Sequence, residues 1–137
     1  MCFKQQGEAN LNIALYLNKK DMSNLGKMSK QELASVIINR LYYGVFLMAK
    51  ELVKQNSSQV SSHNHRFLWR QVGNILQQRQ NNFDRVSFIA IVDELRTTRN
   101  EYDYDEYCAY NTTKIDDDIE ECFKCKQDIY NVLYQYI

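Results

Sequence analysis

The stretch Ser29-Lys30-Gln31-Glu32-Leu33-Ala34-Ser35-Val36-Ile37-Ile38-Asn39-Arg40-Leu41-Tyr42-Tyr43-Gly44-Val45-Phe46-Leu47-Met48-Ala49-Lys50-Glu51-Leu52-Val53-Lys54 decides the fold. Ser29 and Glu32 form an S-x-x-E capping box, in which each side chain satisfies the other residue's free backbone N–H. From there Leu33, Val36, Ile37, Leu41, Gly44, Leu47, Met48 and Leu52 recur at three- and four-residue steps, the spacing of an inward helical face. A glycine inside a helix costs about 1 kcal/mol relative to alanine. Gly44 therefore implies a backbone or ring packed close against it.

Four more helical segments surround this one. The first runs from about Gln5 to Asn18 with Leu11, Ala14, Leu15 and Asn18 on one stripe, and a loop from Asp21 to Lys27 ends it. The polar stretch Asn56 to Ser62 is a linker, and Ser61 or Ser62 is the expected cap of a third helix bearing Phe67, Leu68, Val72, Ile75 and Leu76. Gln77 to Asn82 breaks that helix. A fourth, about Asp84 to Asn100, carries Phe88, Ile89, Val92 and Leu95. Thr113 with Asp116 is the expected cap of the last, whose apolar series is Ile115, Ile119, Cys122, Ile129, Leu133 and Tyr136. The 137 residues contain no proline and four glycines, which favours long helices over many tight turns. The expectation is one all-α domain over 1–137, an antiparallel four-helix bundle with an additional short helix.

Charge is balanced overall but unevenly placed. Residues 1–100 hold 14 Lys+Arg against 7 Asp+Glu, and residues 101–137 hold 3 against 10. Such a division suits self-association or a charged partner. The cluster Asp116-Asp117-Asp118 with Glu120-Glu121 has a plainer reading, as acids favouring a helix N-terminus. Cys122 and Cys125 form a CxxC within a helical pattern and without a second ligand pair. They read as buried thiols, so neither a metal nor a cofactor is expected. The longest apolar run, Tyr42 to Ala49, is far short of a membrane span, and no basic, apolar leader opens the chain. Cytoplasmic localisation without a membrane partner is the expectation.

The candidate site lies in Leu95-Arg96-Thr97-Thr98-Arg99-Asn100-Glu101-Tyr102-Asp103-Tyr104-Asp105. Arg96 and Arg99, three apart, share a helical face close to Val92 and Leu95. Together with Ile38 to Ala49, which is similar to an "R-x-Y-Y-[AG]-x-F-x-x-A" helix, and the Asp103-Tyr104-Asp105 triplet, this segment resembles the HEPN family of small α-helical domains, particularly its stand-alone members. Nuclease members of that family carry Arg, a polar residue and, a few residues later, His. Arg99 and Asn100 match the start of that motif, and Tyr104 stands where the His would be.

The resemblance implies a homodimer and a metal-independent ribonuclease site composed at the dimer interface. It also implies an association with RNA or nucleotide, or with a nucleotidyltransferase partner in a toxin–antitoxin or defence-type system. On that pattern Arg99, Asn100 and Tyr104 are the catalytic candidates, with Arg96, Arg40, Tyr43, Asp103 and His65 as binding candidates. Cleavage by the RNA's own 2′-hydroxyl needs charge stabilisation and proton transfer. Arg99 suits the first, because its planar fork matches two phosphate oxygens. Tyr104 suits the second poorly, since a phenol is only ~0.1% ionised at pH 7. His63 and His65 are the chain's imidazoles, both near the start of the third helix. Structural readings stand beside these: Tyr42, Tyr43 and Phe46 as core aromatics, and Arg40 paired with Glu101 or Asp103. Three functions therefore stay open: a non-catalytic or weakly active HEPN-like interaction module, an active endoribonuclease, and a purely structural bundle.

Overall fold

A computed structural model describes residues 2–19, 28–56, 64–104 and 110–137, with Tyr104 described by its backbone alone. Five helices account for nearly all of them: α1 Phe3–Asn18, α2 Lys30–Asn56, α3 His65–Arg79, α4 Arg85–Tyr104 and α5 Thr112–Tyr134. The loop from Asp21 to Lys27, the Ser61 and Ser62 caps, His63, Asp105 and Cys108 lie outside the described residues.

Short polar side chains start these helices by accepting otherwise unpaired N–H groups. Ser29 Oγ accepts from Glu32 N at 3.1 Å, one of the two bonds of the expected capping box. Asn64 Oδ1 accepts from Phe67 N at 3.0 Å, Asp84 Oδ1 from Ser87 N at 3.0 Å, and Asn111 Oδ1 from Lys114 N at 2.8 Å. The cap of α5 is thus Asn111 and not Thr113, which lies inside the helix. An Asx side chain one residue before the first turn outcompetes a threonine already within it.

Side-chain pairings fix the helix directions. Lys50 and Lys54 lie over Phe3 while Arg40 donates to Asn10, so α1 runs against α2. Tyr43 meets Arg99 and Asn39 meets Asp103, so α4 also runs against α2. Trp69 lies near Phe88 and Asn74 near Arg85, which makes α3 and α4 antiparallel. Between α2 and α3 the pairs are Tyr42 with His65, Phe46 with Trp69 and Asn56 with Arg79. Their constant offset means that α3 runs parallel to α2. The bundle is therefore not wholly antiparallel. Nor is any helix a minor addition, since the shortest, α3, has 15 residues.

Helix α2 is the centre, packed on each of the other four. Its buried side chains span most of its circumference and include Ile37, Ile38, Leu41, Tyr42, Val45, Met48, Ala49 and Leu52. What remains outward is a strip containing Val36, which is 36% exposed and not inward as its spacing suggested. Leu15 and Phe67 also face out, at 45% each, because α1 and α3 bury narrower stripes than α2. By length and composition α2 could cross a membrane, with mean hydropathy 1.2 over its best window, but 61% of that window is buried inside the bundle.

Gly44 sits where α1 crosses α2. A methyl group added there would collide with the side chain of Leu11 and lie 3.1 Å from the carbonyl oxygen of Gly7. One added at Gly7 would lie 2.6 Å from the carbonyl oxygen of Gly44. The two glycines bring the helix backbones into contact, the close approach that Gly44 implied.

Candidate functional site

Three helices build the neighbourhood of Arg99. Helix α2 offers Ser35, Asn39, Tyr42, Tyr43 and Phe46, which recur at helical spacing along one face. Helix α4 offers Arg96, Arg99 and Asp103, and α3 offers His65 and Trp69 one turn apart. Because α4 crosses α2 antiparallel, Arg99 reaches Tyr43 while Asp103, one turn on, reaches Asn39 and Ser35.

Arg99 is held from several sides. Its Nη2 donates to the Tyr43 hydroxyl at 3.2 Å, and its guanidinium carbon lies 5.0 Å from the Tyr43 ring centre and 5.3 Å from that of Tyr42. Such placement over ring faces is the cation–π arrangement. Arg99 Nε lies 3.1 Å from Asp103 Oδ2, and the two side chains are 14% and 18% exposed. That distance is an ion pair, yet the N–H is not aimed at the oxygen, and Nε lacks a hydrogen-bond partner among the described residues. Asp103 is itself held by Ser35 Oγ on Oδ1 and Asn39 Nδ2 on Oδ2, both at 3.1 Å.

His65 stacks on Phe46 with ring centres 4.1 Å apart and lies 6.1 Å from Tyr43. Its Nδ1 is 2.7 Å from the Tyr42 hydroxyl, which is 3.2 Å from Trp69 Nε1. An indole N–H only donates. The Tyr42 oxygen therefore accepts from Trp69 and shares a second hydrogen bond with Nδ1, whose donor is set by the His65 tautomer. Burial lowers the His65 pKa, and the nearby positive charges of Arg96, Arg99 and Lys50 lower it further. Burial raises the Tyr42 pKa against the opposing pull of the Trp69 hydrogen bond and the two arginines.

Arg99, Tyr43, Asp103 and His65 are thus brought together, with Arg96 close by. Arg40 is not among them. It donates to Asn10 Oδ1 at 2.9 Å on α1, because its position on α2 faces away from α4. Asn100 is exposed. Tyr104 closes α4, so the acidic-aromatic triplet begins inside the helix instead of following it, and its side chain lies outside what is described. Ser35, Asn39 and Trp69 complete the network and carried no sequence signal beyond their helical register.

A second feature adjoins the first. A cleft of about 630 Å³ between α3 and α4 is lined by Arg66, Arg70, Arg85 and Arg96, with Trp69, Val86, Ile89 and Ala90 among its apolar walls and Asp93 as its carboxylate. Its sequence signal is that α3, from His65 to Arg79, contains three arginines and no acid.

Two acids of the acidic third pair within the chain. Lys30 pairs with Asp116 at 2.6 Å, and Asp118 accepts from Tyr102 and Lys114 at 2.7 Å each. None of these acids lies in the first turn of α5, so the helix-terminus reading does not hold. Cys122 and Cys125 are both buried, and burial pushes each thiol up to about 12. Glu94, Glu121 and Cys125 place ligand-type atoms within 4.8 Å of one another. Fold and site together define an all-helical bundle with a cationic face. The chain matches no family model, no curated protein and no solved structure.

Proposed function

We propose that the chain is a HEPN-like interaction module, associated with RNA and with little or no ribonuclease activity. It acts as a cytoplasmic homodimer and as the partner of a nucleotidyltransferase in a toxin–antitoxin or defence-type pair. The observation that supports a non-catalytic role is the confinement of Arg99 between Asp103 and the Tyr43 hydroxyl. A guanidinium that stabilises a phosphorane must present its donors to the substrate, whereas this one is turned into the protein. General acid–base catalysis contributes about 10²–10⁴-fold, and Tyr104 offers only the acid half at neutral pH. Purified protein is expected to leave single-stranded and structured RNA intact. Cleavage that Arg99→Ala abolishes without unfolding the chain would overturn the reading. Sedimentation at micromolar concentration is expected to give twice the monomer mass.

One observation favours the alternative of an active endoribonuclease. His65 is part-exposed, with its pKa lowered by burial and by the charges of Arg96 and Arg99, so an imidazole stands near the motif arginine although the motif position holds tyrosine. In that case His65→Ala removes cleavage and Tyr104→Phe does not.

A further inference from the structure

We infer that the cleft between α3 and α4 is a binding site for a nucleoside phosphate, with the arginines taking the phosphate and the apolar walls taking the base. The inference shares its ligand class and Arg96 with the HEPN-like reading, and departs from it in placing the ligand on Arg66, Arg70 and Arg85, away from Arg99, Asn100 and Tyr104.

Three properties support it. The first is unbalanced charge: four guanidinium groups face one carboxylate. That carboxylate, Asp93, is 62% exposed and lies 3.8 Å from Arg96, a loose pair in water. Arg66 and Arg70 are exposed and have no ion-pair partner among the described residues. They stand one turn apart on α3, about 6 Å along the axis. Guanidinium forks bind phosphate oxygens two at a time, and unpaired ones lose no internal partner on doing so.

The second property is that one arginine is built into the wall. The aliphatic stem of Arg85 lies over Gly73, where an added methyl group would come within 2.9 Å of both its Cγ and Cδ. The guanidinium continues to Asn74 Oδ1. A glycine in the middle of α3 costs about 1 kcal/mol of helix stability. Here it makes the room that lets Arg85 cross between the helices.

The third property is shape. The cleft volume falls within the usual range for small-ligand sites, about 300–1,000 Å³. Val86 is 80% exposed at its edge, with Ile89 and Ala90 beside it. A simple anion uses no such apolar area, whereas a base does. From Arg85 to Arg96 is eleven residues of helix, about 16 Å, so the site is long enough for one nucleotide or a short run of a strand.

A free nucleotide and a nucleotide unit of single-stranded nucleic acid present the same chemistry, and a titration separates them. Trp69 is the chain's one tryptophan and lines the cleft, so its emission reports occupancy, with calorimetry as a second readout. The full chain is titrated with a nucleoside monophosphate, a short single-stranded oligonucleotide, inorganic phosphate and a glutamate-rich peptide. Saturable binding of the monophosphate or the oligonucleotide, tighter than that of phosphate or peptide, is expected, and whichever binds tighter names the source. Arg66→Ala/Arg70→Ala should weaken it about tenfold or more and lower the salt dependence by about two ion equivalents. The inference is overturned if neither nucleotide binds in either readout, if the double variant binds as wild type does while keeping its melting temperature, or if the acidic peptide binds as tightly. Nucleotide binding that the double variant retains sinks the cleft and leaves RNA association standing, whereas loss of all nucleotide binding sinks both, so the double variant tells the two readings apart.

Discussion

Arg99 and the arginines of the α3–α4 cleft carry the same charge within a few helical turns of one another, in opposite circumstances. Arg99 is 14% exposed, paired with Asp103 and laid against two tyrosine rings. Arg66 and Arg70 stand in solvent with no carboxylate of their own among the described residues. The difference is one of commitment. A buried guanidinium needs a counter-charge and donors' partners within the protein, or it destabilises the fold. An exposed one keeps its donors for whatever arrives. The arginine that a sequence motif singles out is thus the one engaged by the fold, and the arginines without a motif are the ones available for binding.

The contrast can be broken most severely at Asp103. Asp103→Ala removes the counter-charge of a nearly buried guanidinium, and loss of about 3 kcal/mol is expected, seen as a fall in Tm of roughly 10 °C. A variant melting with the wild type would show that Arg99 needs no partner. A smaller effect is expected at Tyr43. Tyr43→Phe keeps the ring under the guanidinium and deletes one hydrogen bond, which costs about 1 kcal/mol in chemical denaturation. Equal losses from the two variants would mean that the ion pair contributes nothing beyond a single bond.

The smallest effect concerns pH. The folded pKa of His65 lies below its usual 6.5, so between those two values the unfolded chain binds the extra proton. Stability from this group is complete above pH 6.5 and declines as pH falls toward the lowered value. Denaturation midpoints measured from pH 7.5 to 5 should therefore fall, and His65→Gln should flatten the slope. An unchanged slope would mean that neither burial nor the charges of Arg96 and Arg99 hold the His65 pKa down.

Much of this was legible in the sequence. Apolar spacing gave the five helices, because each buries a stripe with a period near 3.6, and Gly44 gave the close crossing with α1. The direction of α3 was not legible. Nothing in the spacing of Leu68, Val72 and Leu76 tells whether that helix runs with α2 or against it, since an apolar stripe is nearly symmetric end to end. The site was half legible. The three-residue spacing put Arg96 and Arg99 on one helical face, but the sequence pattern ends that helix near Asn100. Asp103 joins them only because α4 continues to Tyr104, and Ser35, Asn39 and Trp69 join only by tertiary contact. Arg40 shows the converse error: a charge opposite an acid in the pattern found a neutral partner, Asn10, on another helix. The cleft announced itself weakly, through an α3 with three arginines and no acid, and needed the approach of α4 at Gly73 to become a site.

The most direct test sets the two kinds of arginine side by side in one thermal unfolding experiment. Arg99→Ala is expected to lose about 2–3 kcal/mol, because Asp103 is then left part-buried without its charge partner. Arg66→Ala/Arg70→Ala is expected to remain within about 0.5 kcal/mol of the wild type, as exposed substitutions do. If Arg99→Ala melts with the wild-type protein, or the double variant is the less stable of the two, the division between a structural arginine and a binding cleft is wrong.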